Sequence, residues 1–544
     1  MAAIKLGINM AGAASAGAYT AGVLDFLIQA LDEWYAAKAA GEDVPRHDVS
    51  IEVISGASAG GMCAAIAGTQ IQESFDHITD TSQIGSNNRF YESWVNKIDI
   101  RELLKTSDLG SGKSVVSLLD SDIIEQIASY ALAPEKLQPR SYVSSHLTIF
   151  LTLTNIRGVP YLLSSDQSGS VEEYTAWYGD RLRFEVVQPG QAPVGPNAKP
   201  LPAGRPGEGA WPLLQQAAMA TGAVPVILAP RTITRDTDDY YMPLWQPVDT
   251  KVSEIPPKWD YQKGQTWTTV NVDGGVTDNN PFDLALEHLR SLDPPVSENP
   301  GDSLQVDRVV LSVAPFPASN SFNPKFDPEK SCALGSAFLS VVNVMLSQSR
   351  FLGESLGAIT SGDCFDRLVI APSDPDGAPN GAALQCAPLS AFAGFFDRGF
   401  RAHDFQLGRR NCQRFLEARF LLPQNNPIIK QGMGLNAHTI LSHADYGKQP
   451  PTREAQPADE KWIPVIPLCG SAKTEVPEPV RVQISDENLN EITKLITHRA
   501  KALLPGLLKG FPSQFAKLVI EGEIMGYLLT VAPGELKKYL RAQL

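Results

Sequence analysis

The fold is decided by a short stretch of the chain, SIEVISGASAGG at residues 50–61. Its first part, Ser50–Ile54, is an apolar run typical of a buried strand, and the small residues that follow predict a turn into a helix. The pattern Gly56-x-Ser58-x-Gly60 lies at that junction. A serine on such a bend projects its hydroxyl outward, and the glycines let the neighbouring backbone pass closely. Because the helix N-terminus also favours negative charge there, Ser58 is predicted to be a nucleophile.

The sequence before this stretch repeats the order of strand and helix. Ile4–Asn9 is an apolar run, a loop of small residues follows at 11–17, and apolar residues recur at helical spacing from Tyr19 to Ala39. Alternation of this kind indicates an α/β protein with a parallel sheet and helices on its faces. Further strands are predicted at Leu147–Thr154, Thr268–Val272 and Val309–Val313.

A second chemical signal is Asp273-Gly274-Gly275, directly after a predicted strand. A carboxylate at the tip of a strand, followed by two glycines, can approach a serine hydroxyl without crowding and accept its proton. Taken alone, Asp-Gly-Gly is also typical of a hairpin turn. A third stretch, Ala-Thr-Gly-Ala-Val-Pro at 220–225, indicates by itself only close packing of a helix.

Together, and in this order, these motifs resemble the patatin-like phospholipase family. Its signature is a glycine-rich N-terminal loop, a G-x-S-x-G elbow, an A-(S/T)-x-A-x-P stretch and a D-G-(G/A) motif, and the resemblance spans about residues 4–315. It implies a three-layer α/β fold with a central, mostly parallel sheet. It also implies a Ser58–Asp273 dyad, rather than a triad, that hydrolyses acyl esters of lipids through an acyl-enzyme.

The N-terminal loop departs from the family pattern. The family loop is usually richer in glycine and often carries an arginine before its last glycine, where this chain has Ala16. Backbone amides of Gly12, Ala13 and Ala14 can still form the oxyanion hole, because amides rather than side chains donate there. The missing arginine weakens recognition of phosphate and leaves neutral lipids or generic esters as substrates. Neither a metal nor a cofactor is required.

Composition limits the classes of partner. The chain has 544 residues, 43% of them hydrophobic, and a net charge of −14, which disfavours nucleic acid as a partner. It shows no secretory signal and no apolar run long enough to span a bilayer, so we expect a cytoplasmic protein. The partner expected is a lipid or ester substrate, with transient peripheral membrane contact as a minority hypothesis. The oligomeric state is not predicted.

The chain is expected to divide into a catalytic domain at 1–420 and two C-terminal parts. The catalytic domain contains insertions near 180–210 and 236–266, where proline, glycine or aromatic residues accumulate. A proline-rich linker or wrap follows at 421–484, and a helical extension at 485–544. Further helices are predicted at Cys332–Leu346, Phe515–Leu529 and Gly534–Leu544.

An arginine-rich run, Arg401–Asn411, resembles a segment found in a bacterial subset of patatin-like proteins. Its His403 and Asp404 are candidates for assisting the site. We favour instead a structural role, a capped helix whose arginines pair with acidic neighbours.

Three alternatives remain open from the sequence. An α/β-hydrolase would use a late histidine as its base, for which His403, His438 and His443 are candidates, but Ser58 follows only one β-α unit, too early for that fold. A scaffold without activity is the second alternative, although intact Ser58 and Asp273 argue against it. An acyltransferase with the same nucleophile is the third.

Overall fold

The computed structural model describes most of the chain. The described residues are 3–110, 114–133, 137–164, 172–241, 255–293, 302–316, 349, 365–373, 383–448, 460–507, 534, 537, 538, 540 and 541. The helices predicted at 332–346 and 515–529, and most of the one at 534–544, lie outside these residues.

The described elements alternate between strands and helices along the first third of the chain. The strands are β1 Ala3–Met10, β2 Asp48–Gly56, β3 Val143–Ser164, β4 Glu172–Val187, β5 Lys199–Pro202, β6 Arg231–Asp236, β7 Thr266–Asp273, β8 Arg308–Val313, β9 Arg367–Ile370, β10 Leu421–Pro423 and β11 Trp462–Pro464. The α-helices are α1 Gly17–Ala40, α2 Ser58–Gln70, α3 Arg89–Tyr91, α4 Ile100–Leu103, α5 Asp122–Ala131, α6 Trp211–Thr221, α7 Phe282–Leu292, α8 Pro388–Ala391, α9 Arg398–Ala418, α10 Pro427–Met433, α11 Ala437–Ser442 and α12 Asp486–Leu507.

The main sheet has the strand order β5-β4-β3-β2-β1-β8-β9. Its centre is parallel, because β1 pairs in parallel with β2 and β8, β2 with β3, and β8 with β9. Strand β4 is antiparallel to β3, and β7 is antiparallel to both β3 and β6. The predicted α/β fold with a central, mostly parallel sheet is confirmed.

Helices cover both faces of this sheet and so make the three predicted layers. Side chains of α1, α2, α6 and α9 share one buried core with one face of the central strands. On the other face, α7 packs Leu286 and Leu289 against Val53, Phe150 and Val310. Neighbouring residues of β2, Val53 and Ile54, face these opposite layers, as the two-residue period of a strand requires.

Strand β3 receives two other strands end to end along one edge. Gly56, the last residue of β2, pairs with Leu151 of β3. Asp273, the last residue of β7, pairs with Leu153, two positions further along β3 and from the opposite direction. The carboxyl ends of β2 and β7 therefore face each other at one point of the sheet.

The arginine-rich run lies in α9, which is buried against α1 rather than solvated. Asp397 caps this helix by accepting a hydrogen bond from the Gly399 amide at 2.7 Å. Arg409 forms an ion pair with the fully buried Asp25 of α1. The helix thus has the capped, ion-paired character that we favoured for a structural role, but in the interior of the protein.

The C-terminal segments also pack on the core. Strands β10 and β11 form an antiparallel pair, and Ile463, Val465 and Ile466 are buried. Helix α12 buries Leu489 and Ile492 in a second cluster with residues of α4. A helical C-terminal region is therefore present, while the division into three parts stays a prediction. Among the described residues, no helix is both long enough and apolar enough to cross a bilayer.

Two glycines allow α1 and α9 to cross in close contact, and this generates a test. A Cβ at Gly22 would lie 1.9 Å from the Phe405 carbonyl oxygen, and one at Gly408 would lie 2.1 Å from that of Tyr19. We expect Gly408→Ala to lower the free energy of unfolding by about 1–3 kcal/mol, because the helices must separate. Urea denaturation measures this change. Gly534→Ala, whose added methyl would meet no atom of the described residues within 4 Å, is the control, and equal stability of the two variants would contradict the crossing.

Candidate active site

Ser58 lies on a strained bend between β2 and α2. Its φ is +53°, in the left-handed region that side chains rarely adopt, as a nucleophile elbow requires. Both flanking glycines are necessary here: a Cβ at Gly56 would lie 2.4 Å from the Gly60 carbonyl oxygen, and one at Gly60 would lie 2.3 Å from that of Met10. The structure thus places Gly56 and Gly60 where the predicted elbow needs them.

Asp273 meets Ser58 directly. The Ser58 hydroxyl donates to Asp273 Oδ2 at 2.7 Å, and the Gly275 amide donates to Oδ1 at 2.7 Å. Asp273 is only 2% exposed, and this burial raises the pKa of its carboxyl to about 7, although both hydrogen bonds act in the opposite direction. The two glycines after it keep the turn tight, since a Cβ at Gly274 would lie 2.2 Å from the Thr152 carbonyl oxygen. The pair is therefore hydrogen-bonded and buried, and the pKa of the Asp273 carboxyl is about 7.

The stretch at 220–225 holds both members of the pair, a role that the sequence alone did not reveal. The Ser58 amide donates to Thr221 Oγ1 at 2.9 Å. The Asp273 amide donates to the Ala223 carbonyl at 2.9 Å. The run of small residues was visible in the sequence, but it did not indicate that Thr221 and Ala223 bond to Ser58 and Asp273.

The N-terminal loop adjoins Ser58. A Cβ at Gly12 would lie 3.0 Å from Ser58 Cβ, so the loop reaches this residue. The Gly12 amide donates to the Asn279 carbonyl at 3.1 Å, and its place in the oxyanion hole stays a prediction. Among the described residues, the amides of Ala13 and Ala14 donate to no acceptor. Ala14 has a φ of +42°, so the loop is strained beside the site.

A further amide without an acceptor belongs to Ala59 of α2, directly after Ser58. Within the part of the chain that the structure describes, this amide has no acceptor, because it belongs to the first turn of the helix. An amide of this kind, next to the candidate nucleophile, suits an oxyanion. Ala13, Ala14 and Ala59 therefore each offer an amide that donates to no acceptor among the described residues.

Buried polar side chains form a hydrogen-bond network beneath the site. Asn9 of β1 donates to Asn280 Oδ1 at 2.6 Å and to Ser312 Oγ of β8 at 3.0 Å. Ser55 of β2 donates to Asn9 Oδ1 and to the Pro281 carbonyl, each at 3.0 Å. Three strands are thus tied to the loop that follows Asp273. The sequence showed Asn279-Asn280-Pro281 without indicating this function.

The candidate histidines are not brought to Ser58. His403 is buried in α9, with Nδ1 2.8 Å from Asp404 Oδ1. His438 is exposed and the side chain of His443 is half exposed. In the described parts of the chain, no histidine is hydrogen-bonded to Ser58 or Asp273. The geometry favours a dyad over a Ser-Asp-His triad.

The buried carboxyl predicts a pH-dependent effect on stability. Its pKa is raised from about 4 in the unfolded chain to about 7 in the fold, so wild type loses stability as the pH rises through this window. An amide does not titrate, so Asp273→Asn should gain stability relative to wild type, by up to about 4 kcal/mol above pH 7 and by little below pH 4. Urea denaturation across this range measures the difference. A pH-independent difference between Asp273→Asn and wild type would contradict the raised pKa.

Comparisons with known proteins agree with this geometry. The family model described as patatin-like phospholipase matches residues 9–286. An uncharacterized protein, y4iI, of Sinorhizobium fredii is 32% identical over 99% of this chain and 80% of its own length. The crystal structure of VipD from Legionella pneumophila aligns over 99% of this chain and 90% of that chain, but at 12% identity and a TM-score of 0.23 it carries no argument about the fold. The protein belongs to the patatin-like phospholipase family.

Proposed function

We propose that this protein hydrolyses carboxylic ester bonds of lipids, as a phospholipase A, lysophospholipase or lipase, with Ser58 as nucleophile and Asp273 as base. The observation that carries the proposal is the 2.7 Å hydrogen bond between Ser58 Oγ and Asp273 Oδ2 in a dry setting. A carboxylate is normally too weak a base for a serine hydroxyl, and burial supports this role by raising its pKa. Membership of the family supports a lipid as the substrate.

In the acylation step, Ser58 Oγ attacks the ester carbonyl while Asp273 accepts its proton. The carbonyl oxygen becomes an oxyanion, to which the amides of Ala13, Ala14 and Ala59 donate. Collapse of the tetrahedral intermediate breaks the ester C–O bond, and the proton on Asp273 passes to the departing alkoxide. The alcohol or lysolipid leaves, and the acyl group remains on Ser58.

In the deacylation step, Asp273 accepts a proton from a water molecule that attacks the acyl carbonyl. The same amides stabilise the second oxyanion. Collapse releases the fatty acid, and the proton returns to Ser58. The surroundings that enforce the strained backbone at Ser58 and Ala14 keep nucleophile and donors in place throughout, so little reorganisation is needed at either step.

Replacement of the nucleophile tests the assignment. Ser58→Ala removes the attacking oxygen, so we expect labelling by a fluorophosphonate probe and ester hydrolysis to fall together to background. Both are measured on purified protein, with a soluble short-chain ester and with mixed phospholipid vesicles. The exposed Ser141→Ala is the control and should retain both signals. Hydrolysis that survives in Ser58→Ala would refute the nucleophile, and a wild type inactive towards every ester would favour a scaffold.

The base predicts a particular pH profile. Because only ionised Asp273 accepts the proton, kcat/KM for a neutral ester should fall about tenfold per pH unit below about 7 and level off above it. A steady-state profile for wild type measures this inflection. His403→Gln, His438→Gln and His443→Gln should leave the inflection unchanged. Its loss in any of these variants would assign the base to that histidine instead.

A further inference from the structure

A cavity lies on the α7 side of the sheet, away from Ser58 and Asp273. Its volume is about 550 Å³, and neither Ser58 nor Asp273 lines it. Strands β3 and β4 form its floor, and α7 and the loop at 194–197 form its walls. This volume lies within the range of about 300–1,000 Å³ that is common for small-molecule sites. We call it the sheet-floor cavity.

The floor carries two arginines side by side. Arg183 pairs across the strands with Phe150, and Arg181 pairs with Thr152. Residues two apart on a strand point to the same face, so both guanidinium groups stand over the same floor. Both arginines line the cavity, together with Phe150.

Neither guanidinium forms an ion pair among the described residues. At longer range, however, Glu287, Asp278 and Asp180 attract Arg181, and Glu185 attracts Arg183. In the described part of the chain, Arg183 Nε is buried without a hydrogen-bond acceptor. Arg183 Nη2 lies 3.3 Å from Nδ1 of His288. Burial, and secondarily Arg183 itself, lowers the pKa of His288 to about 4, so this ring is neutral and accepts a hydrogen bond without compensating the charge.

Two of the acidic side chains that line the cavity have other partners. Glu185 accepts from the amides of Val194 and Gly195 and lies 2.6 Å from His146 Nδ1. Asp239 pairs with Lys199 at 2.9 Å. Glu52 and Glu287 also line the cavity, and Glu287 is exposed at its rim. The cavity therefore contains acidic groups beside the N–H donors of Arg181 and Arg183.

We propose that the sheet-floor cavity binds a small molecule with a phosphate monoester group, held by Arg181 and Arg183. The buried Arg183 Nε lacks an acceptor, and neither guanidinium forms an ion pair among the described residues, so the arrangement suits an anionic ligand that supplies acceptors. The planar fork of arginine matches phosphate in a bidentate manner. Phe150 and Leu284 give the cavity apolar walls for the rest of the ligand. The phosphate could belong to a free metabolite or to a lipid head group.

Binding is tested on full-length Ser58→Ala protein, so that the readout does not depend on hydrolysis or on the proposed function. Calorimetry and thermal shift are measured with glycerol 3-phosphate, and flotation with phosphatidylcholine vesicles with and without phosphatidic acid. We expect saturable binding of at least one phosphate monoester at millimolar concentration or below. Binding of glycerol 3-phosphate assigns a free metabolite, whereas binding only of phosphatidic acid assigns a lipid head group; either supports the proposal.

Charge-removing variants locate the binding. Arg181→Met and Arg183→Met keep an apolar stem and should each weaken binding about tenfold or more. The exposed Arg205→Met, which removes one charge from a pair with Glu208, is the matched control and should bind as the parent does.

Three results would overturn the proposal. The first is no binding of either phosphate monoester by the parent protein. The second is equal weakening by Arg205→Met, which would show an unspecific charge effect. The third is binding that Arg181→Met and Arg183→Met leave intact, which would assign these side chains a structural role.

Discussion

The site depends on one constraint, the shared edge of β3 on which β2 and β7 end opposite each other. Gly56 and Asp273 pair with positions of β3 that are separated only by Thr152. Ser58 and Asp273, which are 215 positions apart in sequence, are thus brought within hydrogen-bonding distance. Because β7 occupies the next place along β3, the chain after Gly56 must leave the sheet. The positive φ of Ser58 is the local result of this exit.

The same arrangement buries the side chain of Asp273 away from water. An Asp273 side chain in solvent would be a poor base, and its burial between β3 and the end of α6 raises its pKa. Burial also costs stability, which the surrounding hydrogen bonds partly offset. Beneath the site, Asn9 takes part in three hydrogen bonds and Ser55 in two, one of which joins the two residues. The buried Asp273 and the hydrogen bonds of Asn9 and Ser55 therefore belong to one structure, so a change in one affects the other.

Local patterns predicted the strands, the elbow and the Asp-Gly-Gly turn, because each depends on residues close in sequence. They could not predict that Thr221 binds the Ser58 amide, since this contact depends on how α6 packs. Nor could they predict that the Gly12 amide donates to the carbonyl of Asn279, from a distant loop. For Arg401–Asn411, charge indicated a solvated or ion-paired face, whereas the glycines that let α9 approach α1 make it an interior helix.

The match to the family model ends at residue 286. Residues after this position nevertheless contact the N-terminal loop at 11–17. The Ala11 amide donates to Val313 of β8 at 3.1 Å. Ser15, at the end of the loop, donates to the Ala391 carbonyl at 2.5 Å and accepts from the Gly394 amide at 3.0 Å. A residue with the positive φ of Ala14 persists only where its surroundings enforce it. Residues beyond the matched region therefore hold the strained loop beside Ser58, and a chain cut at the family boundary would lose these contacts.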